Sequence, residues 1–81
     1  MKTMQIGSAI IHLSKIIDLN CVTCDGGVLV QIEFDHAQKE YFVPDFNDPE
    51  FVTAAIHKGI RESENFNLLS KLCALERIYG G

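Results

Sequence analysis

Cys21 and Cys24 have a spacing that is typical of zinc sites and of thiol redox centres. Structural zinc is bound by four ligands, so Cys73 and a histidine would have to complete such a site from distant elements. Redox thiols normally lie at a helix N-terminus, whereas this pair precedes a Gly-Gly turn and a predicted strand. We expect free thiols on opposite faces of a strand. A zinc-stabilised domain using Cys21, Cys24 and Cys73 is the alternative.

The three histidines, His12, His36 and His57, lie in no sequence frame that is typical of catalysis. Neither G-x-S-x-G nor H-E-x-x-H surrounds any of them, and His36 and His57 are expected at the surface. Oxygen-bearing side chains are concentrated between positions 45 and 50, but this segment lacks the glycine and the distal glutamate of a calcium loop. The sequence predicts no catalytic residue and no cofactor, and it favours a protein that is not an enzyme.

The clearest predicted element is a strand over residues 28–34, because apolar side chains recur there with a period of two. Its inward residues are Val28, Val30, Ile32 and Phe34. The preceding Asp25-Gly26-Gly27 suits a tight hairpin turn, which places an earlier strand at about residues 16–24. The inward residues of that earlier strand are predicted to be Ile17, Leu19 and Cys21.

Two segments beside this hairpin complete the predicted sheet. Residues 35–39 are polar and predict a loop, and the β-rich run 40–43 predicts a strand that Pro44 ends or holds at the sheet edge. Residues 5–15 fit a helix or a strand, and their β-branched isoleucines favour the strand.

Two helices are predicted after the strands. Asp48 and Pro49 form a strong helix start, and the apolar positions that follow predict an amphipathic helix ending near Glu62. Gly59 weakens that helix unless another element packs closely against it. Residues 63–67 are expected to be a connector. Leucines at positions 68, 69, 72 and 75, with Tyr79, predict one face of a second helix that Gly80-Gly81 would end.

The predicted fold is therefore α+β: an antiparallel meander of three or four strands, followed by two C-terminal helices packed on one face. With 81 residues the chain has the length of a single domain, residues 1–81. Domains of this size retain only about 5 kcal/mol of net stability. A homodimer is a common way to bury their remaining apolar surface, and we expect one here.

The opposite face of the predicted sheet is the best candidate for an interaction surface. Leu29 lies there because it alternates with the inward residues, and one of Tyr41 and Phe42 must also point away from the core. The polar face of the first helix is the second part of the candidate surface. The candidate residues are Leu29, Gln31, Glu33, Tyr41, His57 and Arg61.

Charge and hydropathy narrow the class of partner. The net charge is −4, and basic residues interrupt every acidic stretch, so the chain has neither a nucleic-acid footprint nor the dense acidity of a DNA mimic. No apolar run is long enough for a bilayer, and three cysteines suit a reducing, cytoplasmic compartment. The sequence favours an adaptor, inhibitor or regulatory subunit, with a small ligand-binding protein, its pocket between sheet and helices, as a further alternative.

Overall fold

Two three-stranded sheets and two helices account for most of residues 2–79, the part of the chain that the computed structural model describes. The strands are β1 (Thr3–Ile6), β2 (Ala9–His12), β3 (Asp18–Cys24), β4 (Gly27–Phe34), β5 (Ala37–Pro44) and β6 (Asn65–Asn67). The helices are α1 (Pro49–Glu62) and α2 (Leu68–Tyr79), and a 3₁₀ turn (Leu13–Lys15) follows β2. The predicted α+β class, an antiparallel meander followed by two C-terminal helices, is confirmed.

The meander consists of β3, β4 and β5, paired antiparallel in that order. Val28, Val30 and Ile32 are fully buried on the face that the helices cover, as the alternating pattern predicts. Leu19 and Cys21 point to the same side and are partly buried against this core, which confirms their predicted direction. We call this the inner face of the meander.

The prediction that Ile17 lies inward on a strand is wrong. The chain bends at this residue, β3 begins only at Asp18, and 59 % of Ile17 is exposed. The cause is the 3₁₀ turn, which ends at Lys15 and interrupts the two-residue alternation. Ile16 packs against the core in its place.

The polar loop predicted over residues 35–39 is a two-residue turn. β5 begins at Ala37, which pairs directly with Phe34, so most of the polar segment belongs to a strand. Its polarity reflects exposure at the sheet edge and not irregular structure. Pro44 is the last residue of β5, at the edge of the meander, as expected for a residue that cannot donate to a ladder.

A second sheet, with the order β2-β1-β6, was not predicted. Residues 5–15 contain most of the antiparallel hairpin of β1 and β2, and Gly7 has the positive φ of 59° that its tight turn requires. The strand interpretation therefore holds for β1 and β2 but not for the 3₁₀ turn. The predicted connector over residues 63–67 contains β6, which pairs in parallel with β1. Three residues are too few to show a periodic pattern.

Both predicted helices are confirmed. The Asp48 carboxylate accepts hydrogen bonds from the backbone N–H groups of Glu50 (3.0 Å) and Phe51 (3.4 Å), which caps α1. A Cβ at Gly59 would lie 2.5 Å from the Phe66 ring, so this glycine does permit a close approach between α1 and β6. The predicted end of α2 at Gly80-Gly81 and the packing of the Tyr79 side chain lie outside the described residues.

One apolar core joins the two sheets and the two helices. Its buried members are Met4, Ile6, Ile11, Val28, Val30, Ile32, Val43, Val52, Ala55, Ile56, Leu68, Leu72 and Leu75. Within the described range no helix is long and apolar enough to cross a membrane.

Glu62 links the two helices at the surface. Its carboxylate forms an ion pair with Lys71 of α2 and another, at 3.1 Å, with Lys58 of α1. Hydrogen bonds from Lys71 and Lys58 hold the pKa of Glu62 below its usual value. A carboxyl with a lowered pKa in the folded state stabilises the fold above its unfolded-state pKa, and this stabilisation is lost as the pH falls through the folded-state pKa.

We therefore expect Glu62→Gln to lower the thermal midpoint at about pH 7 and to leave it unchanged at about pH 2, where the wild-type carboxyl is also neutral. Circular dichroism melts of both proteins at the two pH values measure this. An equal difference at both pH values would contradict the ion-pair explanation.

Candidate functional site

The three cysteines are separated in the structure. Cys21 lies on the inner face opposite Val30, whereas Cys24 pairs with Gly27 on the other side of the meander. Cys73 is exposed on α2. Within residues 2–79, histidine, cysteine and carboxylate side chains form no group of three that could hold a metal ion.

The environment of Cys21 does not activate its thiol. Burial raises the pKa of Cys21, and a hydrogen bond with Thr53 only partly opposes that increase. The thiol is therefore protonated at neutral pH, whereas a nucleophilic or redox cysteine needs a lowered pKa.

The histidines and the oxygen-rich segment have separate places in the fold. His36 is in the exposed β4–β5 turn, with Nε2 3.1 Å from Oδ2 of Asp35. His12 ends β2, and His57 is exposed on α1. The Asp48 carboxylate accepts a backbone hydrogen bond as the N-cap of α1. None of these contacts supplies the base and nucleophile within hydrogen-bond reach that catalysis requires.

The side of the meander that points away from α1 is a more coherent surface, which we call the outer face. Cross-strand pairing arranges it in four rows, each with one residue from β3, β4 and β5. The rows are Cys24-Gly27-Pro44, Val22-Leu29-Phe42, Asn20-Gln31-Glu40 and Asp18-Glu33-Gln38. The first two rows are apolar and the last two are polar, so the outer face is amphipathic along the strand direction.

Phe42 is the large apolar side chain that the outer face leaves exposed, at 48 %. Leu29 and Val22 complete its row and are half-buried. The Phe42 ring lies over Gly27, where an added Cβ would come within 2.9 Å of a ring carbon. The direct cross-strand neighbour of Phe42 is Leu29, so the two side chains form the apolar pair at the centre of this row.

The polar half is connected by side-chain hydrogen bonds across the strands. The Asn20 amide donates to Oε1 of Gln31 (3.4 Å), and the Gln31 amide donates to Oε2 of Glu40 (2.9 Å). Asp18 and Glu33 pair in the next row and add two carboxylates. The polar half therefore carries negative charge at the end of the outer face that is remote from Phe42.

The structure brings together three of the six predicted surface residues. Leu29, Gln31 and Glu33 share the outer face. Tyr41 lies opposite Val30 on the inner face, where it packs at the margin of the core. His57 and Arg61 are exposed on α1, on the side of the meander away from the outer face.

Phe42 is the residue that the sequence reasoning missed. Phe34 pairs with Ala37 across the two-residue turn, and this register places Phe42 beside Leu29 and Tyr41 beside Val30. A two-residue turn at Asp35-His36 gives this assignment, whereas the longer predicted loop leaves the register undefined. The prediction that Tyr41 belongs to the interaction surface of the sheet is therefore corrected to Phe42.

The comparisons with known proteins add no family assignment. A scan against protein-family models, a search of curated proteins and a search of solved structures each found no match to this chain.

Proposed function

We propose that this protein is a small, non-enzymatic interaction module that forms a homodimer through the outer face of the β3-β4-β5 meander. The observation that carries the proposal is the exposed Phe42 in an apolar row with Leu29 and Val22. Apolar patches that are rimmed by polar residues are typical of protein–protein contacts.

The charge distribution favours a second copy of the chain as the occupant. A two-fold axis that runs along the Val22-Leu29-Phe42 row, across the strands, would stack this row of one copy on the same row of the other. It would also turn the acidic rows to opposite ends of the dimer, where they do not face each other. The alternative two-fold axis, along the strands, would oppose the carboxylates of Asp18, Glu33 and Glu40 and is disfavoured.

The outer face is small for a stable protein–protein interface. Three strands about 4.8 Å apart, each about seven residues long, give a face of about 14 Å by 23 Å, or about 330 Å². Stable interfaces bury about 800 Å² per partner, so this contact belongs with weak, exchangeable associations. We expect a dissociation constant of about 10–100 µM.

Three free thiols suit a reducing environment, and we propose a cytoplasmic protein that contacts proteins and not nucleic acid or lipid. A net charge of −4 supports the exclusion of nucleic acid, because phosphate binding needs a concentrated cationic surface.

Sedimentation velocity at about 5 to 500 µM tests the dimer. We expect the apparent molecular mass of the wild-type protein to rise with concentration toward that of a dimer. Phe42→Lys should remain monomeric, because it places a positive charge on the two-fold axis of the dimer. Ile78→Lys is the matched control, because Ile78 is also exposed, at 69 %, but lies on α2. A wild-type monomer at every concentration, or loss of the dimer in Ile78→Lys and not in Phe42→Lys, would overturn the proposal.

A further inference from the structure

A cleft of about 750 Å³ lies between β2 and the turn end of the β4-β5 hairpin. It is separate from the outer face, because Lys39 and Tyr41, which line it, lie on the inner side of β5 opposite Ile32 and Val30. Its volume is in the range of ligand-binding clefts in proteins.

The cleft wall is largely apolar and accessible. Ile10 and Ile17 line it and are 65 % and 59 % exposed, which makes them two of the large apolar side chains that the described fold leaves in solvent. Phe34 and Tyr41 form the opposite wall and are only half-buried. Binding of a ligand over these four side chains would be favoured by the hydrophobic effect, because it would remove their exposed apolar surface from water.

One side of the cleft is an open strand edge. β2 is the outer strand of its sheet, and the Leu13 N–H donates to the Lys2 carbonyl at 3.0 Å. Hydrogen-bonded and non-hydrogen-bonded pairs alternate in an antiparallel ladder, so the backbone N–H and C=O groups of Ile10 and His12 point away from β1. Both of these residues line the cleft. An extended chain could pair with them as an added strand.

The charged groups of the cleft favour an acidic ligand. Lys15 and Lys39 line it, and neither forms an ion pair with another residue of the described range. Asp35 contributes a carboxylate to the cleft wall, but its Oδ2 lies 3.1 Å from Nε2 of His36. This excess of cations contrasts with the net charge of −4 of the whole chain.

We propose that this cleft binds an extended peptide segment in which apolar and acidic side chains alternate, paired as an added strand on β2. Apolar side chains would cover Ile10 and Tyr41, and carboxylates would meet Lys15 and Lys39. The proposal does not depend on the dimer, because it uses the other side of β5.

Fluorescence anisotropy tests this with a labelled eight-residue peptide of alternating valine and glutamate, and with a matched peptide that has lysine in place of glutamate. We expect the glutamate peptide to bind and the lysine peptide to bind at least about tenfold more weakly. No binding of the glutamate peptide at about 1 mM, or equal binding of both peptides, would overturn the proposal.

Two variants locate the site. Lys39→Glu should weaken binding of the glutamate peptide about tenfold, whereas Arg77→Glu on α2, which changes the net charge equally, should leave it within about twofold. Ile10→Pro removes the backbone N–H of residue 10, which does not pair with β1 and would pair with the added strand. This variant should abolish binding. Equal losses in the two charge variants, or unchanged binding in Ile10→Pro, would overturn the site. Circular dichroism checks that each variant is folded, and Lys39→Gln replaces Lys39→Glu if it is not.

Discussion

Gly27→Ala is expected to destabilise the protein by about 3 kcal/mol or more, which is most of the stability of a chain of this size. A Cβ at Gly27 would lie 2.2 Å from the carbonyl oxygen of Val43 and 2.9 Å from a ring carbon of Phe42. The carbonyl belongs to the neighbouring strand, so no side-chain rotation relieves the contact. β4 and β5 would have to separate at this row.

Urea unfolding of Gly27→Ala measures this effect, with Gly7→Ala as the control. Gly7 has a φ of 59° and nothing within 4 Å of an added Cβ, so its replacement costs only the backbone strain of about 1 kcal/mol. A loss of stability in Gly27→Ala no greater than that in Gly7→Ala would contradict the described β4-β5 pairing.

Ile56→Ala is expected to cost about 2–5 kcal/mol, because it leaves a cavity in the core. Ile56 is fully buried on α1, in the cluster that joins both sheets. Ile78→Ala is the matched control on the other helix, where the side chain is mostly exposed, and it should change the free energy of unfolding by less than about 0.5 kcal/mol.

Chemical denaturation of the two isoleucine variants gives both free energies directly. Similar small losses in both would show that α1 does not pack as described. A large loss in Ile78→Ala would instead mean that α2 buries its exposed side against something, which would point to α2 as the interaction surface.

Strong local signals made α1 and β4 predictable from sequence. Asp48 and Pro49 define a helix start through backbone chemistry that needs no tertiary partner. β4 carries the alternation of a strand that is buried on one face. Val28, Val30 and Ile32 are fully buried as the pattern predicts, and Phe34 is partly buried against the same core.

The second sheet depends on contacts that no local pattern encodes. β6 is three residues long and forms because β1 offers it a free edge, with Met4 opposite Phe66. The β1–β2 turn at Gly7 divides a segment whose isoleucines fit either a helix or a strand. Elements this short are determined by pairing and burial, and not by intrinsic propensity.

The candidate interaction surface was half predictable. Alternation along β4 is sufficient to place Leu29, Gln31 and Glu33 on one face. Placing Phe42 on that face requires the register between β4 and β5, and the length of the Asp35-His36 turn determines this register. A difference of one residue in that turn would exchange Phe42 and Tyr41 between the two faces.

The most direct test of the proposed dimer is a comparison of amide NMR spectra at about 20 and 500 µM. If two outer faces pack together, concentration-dependent shifts should centre on Val22, Leu29 and Phe42, while the amides of α2 stay in place. Shifts that are confined to α2, or spectra that do not change with concentration, would contradict a dimer formed by the outer face.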